Sequence, residues 1–419
     1  MRRTPSQCEV VGREIAESQR MNEHVSGSRA VASIRGLIGR ESTWFVFHLV
    51  IVVVATAICV ERHCNNFLIF RTAFDHLVAG RDLYVTYPGE HADLFKYSPT
   101  FALLFAPFSK LPFAVSLFAW NLLNVMLIYV ALRLALPASQ RLEALQITGI
   151  GLVTTVDGTQ SNGLVAALIV LAFASLERDR LKAAAGAISM GVLIKLFPIA
   201  AAGFALPRRD RWKVAGWGLV IGALMVALPL IVTDASTLIA QYRSWYALGA
   251  VDALDRGASV MRLFHMIASY DGPNWPIQLV GYALLLLPVL LRPGRWADAD
   301  FRRSFLASLL VFSVIFNHKA EQPSFVIAVV GIAIWYAGAP RSAVRSILTG
   351  STIVATVPIL ITVVAPGVVA PSMDAALLVV TGCFAVVWLT MQGELLDLFP
   401  EPAAEPESKL AVVSDEPAL

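Results

Sequence analysis

Within the ten residues "EHADLFKYSP" (90–99) stand Glu90, His91, Asp93, Lys96 and Tyr97, in a chain whose flanking stretches are strongly apolar. Asp93 and Glu90 are candidate general bases. A carboxylate within reach of a hydroxyl can take its proton, and nearby cations keep that carboxylate ionised. Arg71, Arg81, Lys96 and Lys195 are candidate anchors for a phosphate group. His91 could hydrogen-bond a phosphate or a sugar hydroxyl. Lys195 stands out because "VLIKLFPIAA" surrounds it with apolar residues. At the bilayer centre an ammonium costs about 2.5–3.5 kcal/mol on insertion scales, so it belongs near a membrane surface.

The elements that must carry these groups are set by composition. The 419 residues are 57% hydrophobic and 15% charged, whereas soluble domains hold about 45–50% apolar and about 25% charged residues. Charges cluster between apolar runs of roughly 15–22 residues, near the length that spans a bilayer core. The chain is therefore expected to be an all-α polytopic membrane protein. Its net charge of +3 reflects basic loops rather than a nucleic-acid surface. Cys8, Cys59, Cys64 and Cys383 show no metal-ligand spacing. They read as ordinary thiols, although Cys59 and Cys64 could meet near a membrane surface. Residues 1–43 form a polar, arginine-rich tail, and 394–419 an acidic, Pro/Ala-rich one expected to be disordered. The membrane domain is 44–393.

Arginine-rich loops stay in the cytoplasm. The N-terminal tail, "RLALPASQR" (133–141), "ERDRLK" (177–182), "RRDRWK" (208–213), "RPGRWADADFRR" (292–303) and "RSAVR" (341–345) all carry that charge. Placing them inside puts both termini in the cytoplasm after about twelve crossings. It also makes 98–112 a short element that dips in and returns, within a first exoplasmic region 62–112. Segment 182–206 becomes a hairpin bent at "IKLFP" with Lys195 at its outer tip. The run 65–84 has helical spacing of Phe67, Phe70, Phe74, Leu77 and Val78, which predicts an amphipathic helix on the membrane interface. The exoplasmic face also collects Gln160, Asn162, a long loop 234–273, and His318 and Lys319 of "NHKAEQ" (317–322).

Four short patterns occur in order: "GRDLY", "YSPTF", "GTQSN" and "KLFP". With them the chain resembles glycosyltransferase family 87, of the GT-C superfamily of polyprenyl-phosphate-sugar-dependent transferases, over about residues 44–235 and more weakly to about 390. The resemblance implies a GT-C-like bundle and an alpha-mannosyltransferase-like enzyme of the plasma membrane. Its partners would be a polyprenyl-phosphate sugar donor, a glycan or glycolipid acceptor of the cell envelope, and the bilayer. It implies transfer of a mannose-like hexose or a pentose with inversion. The family aspartate thought to serve as base falls at Asn66, whose neutral amide cannot take a proton. The base is then expected at Asp93, with Glu90 and Asp75 behind it. Asn66, Arg71, His91, Lys96, Tyr97, Lys195, His318 and Lys319 would bind substrate, with Lys195 and Lys96 or Arg71 on the leaving phosphate, and Gln160 and Asn162 would bind sugar hydroxyls. GT-C enzymes often use a divalent metal, but this first loop lacks a DxD pair and no cofactor is expected. A secondary transporter or flippase, or an inactive family member, are the competing readings; outer loops of ~35–40 residues and the lack of an internal repeat weigh against a transporter.

Overall fold

The structure is a computed structural model that describes residues 36–62, 64–364 and 373–399. Most of both tails lies outside the described residues. The fold is all-helical. Helix α1 (Glu41–Arg62) is followed by α2 (Asn65–Val78), two short helices α3 (Pro99–Leu104) and α4 (Ala106–Lys110), and the long α5 (Phe113–Ala135). Then come α6 (Ala138–Asp157), α7 (Asn162–Leu176) and α8 (Leu181–Ile194). A 3-10 segment, Phe197–Ala205, leads to α9 (Arg211–Ala227), α10 (Ala235–Asp252), α11 (Val260–Ala268) and α12 (Trp275–Leu291). The chain continues through α13 (Ala299–Ile315), α14 (Phe325–Ala337), α15 (Ala343–Val364) and α16 (Met373–Leu395).

Among the described residues, four helical stretches are long and apolar enough to cross a membrane: Glu41–Arg62, Phe113–Ala135, Arg211–Ile231 and Asp374–Leu395. Shorter apolar helices at Asn162–Leu176, Leu181–Ile194, Trp275–Leu291 and Gln322–Ala337 accompany them. The protein is thus a multi-pass membrane protein, while the expected number of about twelve crossings goes beyond what helix length establishes. The core is built around α14, which is apolar on every side and buried from Phe325 to Trp335. A helix of that kind belongs inside a bundle. It packs on α13 and α6, with α7 and α8 alongside and α1 against α5 and α6. Gly331 lets α14 approach α13 closely, since a Cβ there would stand 2.6 Å from the Ala307 carbonyl oxygen. In contrast α9 buries only Val214 and exposes Trp217, Leu219, Val220 and Leu224, the pattern of a lipid-facing helix.

Two expected bends have local causes. In 98–112, the Ser98 hydroxyl caps α3 by accepting from Phe101 N–H (3.2 Å), and Pro99 fits its first turn. At 182–206, α8 ends at Ile194, Lys195 is extended (φ −146°, ψ 141°), and Pro198 opens the second arm. That arm is a 3-10 helix rather than an α-helix; at about 2.0 Å rise per residue it reaches further than an α-helix of equal length.

Three expectations are corrected. The predicted interfacial helix exists as α2, ended by Gly80 at φ +66°, but its apolar side is not spread on lipid. Phe67, Ile69, Phe70, Ala73 and Leu77 are buried, and Phe70 makes edge contacts with Tyr97, Phe101, Phe105 and Trp120. The long loop 234–273 is largely the helices α10 and α11; Asp234 caps α10 by accepting from Thr237 N–H (2.9 Å). Cys59 and Cys64 are joined in a disulfide at the junction of α1 and α2.

Candidate active site

A cavity of about 630 Å³ opens where several of these elements meet. The start of α2 contributes Asn66, and the loop before α3 contributes Asp93, Lys96 and Tyr97. Gln160 comes from the turn before α7, and Lys195 from the break after α8. The turn after α13 adds His318, Lys319 and Glu321, while Trp245 of α10 and Gln278 of α12 close the walls. Three lysines (Lys96, Lys195, Lys319) and two carboxylates (Asp93, Glu321) therefore face one space.

The loop 90–98 is irregular yet held on every side. Asn65 Oδ1 accepts from Ala92 N–H (2.7 Å), and His91 Nδ1 lies 2.7 Å from the Asp93 carbonyl oxygen, a donor's position. Trp245 Nε1 donates to the Lys96 carbonyl (3.1 Å), Tyr84 to the Tyr97 carbonyl (2.8 Å), and Ser98 N–H to the Leu193 carbonyl (3.3 Å). Buried backbone groups are thereby satisfied without regular structure. Asp93 stays exposed toward the cavity, its Oδ1 accepting from Leu94 N–H (2.7 Å) and standing 4.0 Å from Lys96 Nζ.

The opposite wall is equally tied. Tyr97 donates to Gln160 Oε1 (3.1 Å) and accepts from Ser161 (3.2 Å). Burial pushes its hydroxyl pKa up, so it acts as a neutral hydrogen-bonding group. Lys195 Nζ donates to Asn162 Oδ1 (2.7 Å), which places the buried Asn162 behind the lysine rather than on the cavity wall. Lys195 sits in the non-helical break, outside the spanning segments. Burial pushes its pKa down to about 8, Glu321 opposes that shift and Lys96 adds to it. The side chain is half-buried on the cavity wall.

Asn66 donates from Nδ2 to the Gly158 carbonyl (2.9 Å), tying α2 to the Gln160 turn. A carboxylate at this position could not donate that bond. Other residues predicted from the sequence stand away from the cavity. Asp75 pairs with Lys110 (2.6 Å), Glu90 with His76 (2.8 Å) and Arg81 (3.6 Å), and Arg71 donates to the Leu111 carbonyl (3.0 Å). Sequence reasoning missed Glu321, Gln278 and Trp245. Glu321 had a signal, since it belongs to the polar "NHKAEQ" cluster; Gln278 lay hidden in an apolar run.

The four helices of membrane-spanning length, and beside them a cavity lined by three lysines and two carboxylates, define a polytopic membrane protein with an enzyme-like site. The glycosyltransferase family 87 profile matches residues 95–317, more than half of the chain, and the chain belongs to that family. It is accordingly a membrane glycosyltransferase. The match begins after Asn66 and Asp93. No curated protein sequence matches the chain. Among solved structures, the chain is similar to the crystal structure of ArnT from Cupriavidus metallidurans bound to undecaprenyl phosphate, with TM-score 0.44 and 13% identity over 85% of this chain and 78% of that one.

Proposed function

We propose that this cavity transfers a sugar from a polyprenyl-phosphate donor to a hydroxyl of an exoplasmic envelope glycan or glycolipid, with inversion. The observation that carries the reading is that Asp93, Lys195 and Gln160 line one space together with Lys96 and Lys319. The acceptor hydroxyl gives its proton to the Asp93 carboxylate. Its oxygen forms a bond to the anomeric carbon as the bond from that carbon to the phosphate oxygen breaks, and the electron pair leaves on the phosphate. Lys195, with Lys96 and Lys319, stabilises that developing charge; fixed charge in a water-poor site is the strongest help a protein can offer there. Gln160 and Asn162 would orient sugar hydroxyls and Lys195 respectively. Opening toward the exoplasm is supported by the arginine-rich opposite loops and by the disulfide of Cys59 and Cys64, a bond favoured in oxidising compartments.

Purified protein incubated with labelled polyprenyl-phosphate sugars and envelope lipid extracts is expected to yield labelled acceptor and free polyprenyl phosphate. The product's anomeric configuration should be opposite to the donor's. Solute uptake in proteoliposomes with no sugar transfer would contradict the reading.

A further inference from the structure

The loop between α10 and α11, residues 253–259, is anchored on both sides. On one side, Asn274 Nδ2 donates to the carbonyls of Ala253 (2.8 Å) and Asp255 (2.6 Å). Arg256 reaches Asp271 (3.1 Å) and the Gly272 carbonyl (3.2 Å). On the other side the loop presses against the turn 317–321. Ala258 N–H donates to the Ala320 carbonyl (2.6 Å), and the Asp255 carboxylate pairs with the Lys319 ammonium. At Gly257 the backbones come so close that a Cβ would stand 2.5 Å from the Ala320 carbonyl oxygen and 2.8 Å from that of His318. The turn has ties of its own: Lys319 N–H donates to Asn317 Oδ1 (3.0 Å), and Gln278 Nε2 to the Phe316 carbonyl (3.1 Å).

None of residues 253–259 lines the cavity, whereas His318, Lys319 and Glu321 of the turn do. We propose that Asp255 and Gly257 are positioning residues for the transfer reaction. Gly257 sets the turn against the loop, and Asp255 holds the Lys319 ammonium where the donor's phosphate arrives. The inference rests on the cavity being the transferase site. Its physical basis is that a lysine carries a flexible four-carbon stem. Ordering such a side chain only when ligand binds lowers affinity, and ordering it beforehand raises it. A partly exposed ion pair contributes little to stability, so the pair's effect falls on where the charge sits.

The test uses the full-length purified protein and a labelled polyprenyl-phosphate sugar, with KM for the donor and kcat measured separately. Asp255→Asn is expected to raise the donor KM about tenfold, the effect of losing about 1.4 kcal/mol of charge placement, and to lower kcat as well, since Lys319 also faces the charge that develops on the phosphate. Asp255→Glu should recover most of that affinity, which a merely structural role would not predict. Gly257→Ala should lower kcat, because the whole turn must shift. Wild-type transfer with an unchanged donor KM in Asp255→Asn overturns this inference alone. Absence of transfer by the wild-type protein overturns the reading of the site and this inference with it.

Discussion

At Lys195 the surroundings and the chemistry meet in one titration. Its pKa, lowered from 10.5 to about 8 by burial, means that the ammonium to which we assign the leaving phosphate is present below about pH 8 and is lost above it. We predict that kcat/KM for the donor falls about tenfold per pH unit on the alkaline side of about pH 8. Lys195→Arg should flatten that limb, since a guanidinium stays charged. Glu321→Gln removes the charge that opposes the shift, so its limb should move to lower pH; an unmoved limb would remove Glu321 from the account. The stability consequence has its own sign. The unfolded chain holds this proton up to about 10.5 and the native chain only to about 8. The unfolded state therefore binds more protons in that window, and native stability rises with pH across it. Lys195 was legible in the sequence because a lone cation in an apolar run needs a reason. Glu321 was not singled out beside His318 and Lys319, because nothing in the sequence of that cluster tells which of its side chains the folded turn sets on the cavity. The same holds for Glu90 and Asp75, plausible bases by type and proximity that the fold pairs with His76, Arg81 and Lys110 instead.

Among the elements, the close passage of α13 and α14 makes a sharp stability prediction. Gly331→Val places methyl groups against the Ala307 carbonyl and the Leu310 side chain. It should destabilise the protein by about 1–3 kcal/mol, read as a lowered melting temperature in detergent. Gly350→Ala, in α15 with nothing within 4 Å of its added Cβ, is the control and should leave it unchanged or slightly raised. The hairpin carrying Lys195 depends on Gly191, whose Cβ would stand 2.8 Å from Pro198 Cβ. Gly191→Leu should therefore splay α8 from the 3-10 arm and lower transfer as well as stability. The placement of basic loops made the break at Lys195 and the short elements in 98–112 readable, and periodicity the helix α2. What covers a helix face is not readable in that way: the spacing of Phe67, Phe70 and Leu77 shows an apolar side, and α3 and α4 rather than lipid turn out to fill it. The helices of 234–273 escaped notice because they mix polar and apolar residues without a long apolar run.

Over the whole molecule, the proposed reading links orientation and activity: it sets the basic loops in the cytoplasm and opens the Lys195 cavity to the exoplasm. If so, Cys59 and Cys64 should resist alkylation in the isolated protein until reduced, whereas a reducing compartment would leave both open to it. The family and the membrane class were legible from composition and four ordered motifs. That Asp93, Lys96, Gln160, Lys195 and Lys319 belong to one face was legible too, but which of the candidates on that face line one cavity was not, because they are far apart in the chain and meet only through the packing of α2, α7, α8 and α13. The most direct test of that assembly is the rate of sugar transfer from a labelled polyprenyl-phosphate sugar by purified Asp93→Asn and Asn66→Ala proteins. Asp93→Asn is predicted to lose about 10²–10⁴-fold, the usual contribution of a general base. Asn66→Ala gives up the bond to the Gly158 carbonyl, worth about 0.5–1.5 kcal/mol, and an amide on the cavity wall that cannot take a proton, and should keep roughly a tenth or more of the rate. Full activity in Asp93→Asn, or its loss in Asn66→Ala alone, would contradict the account.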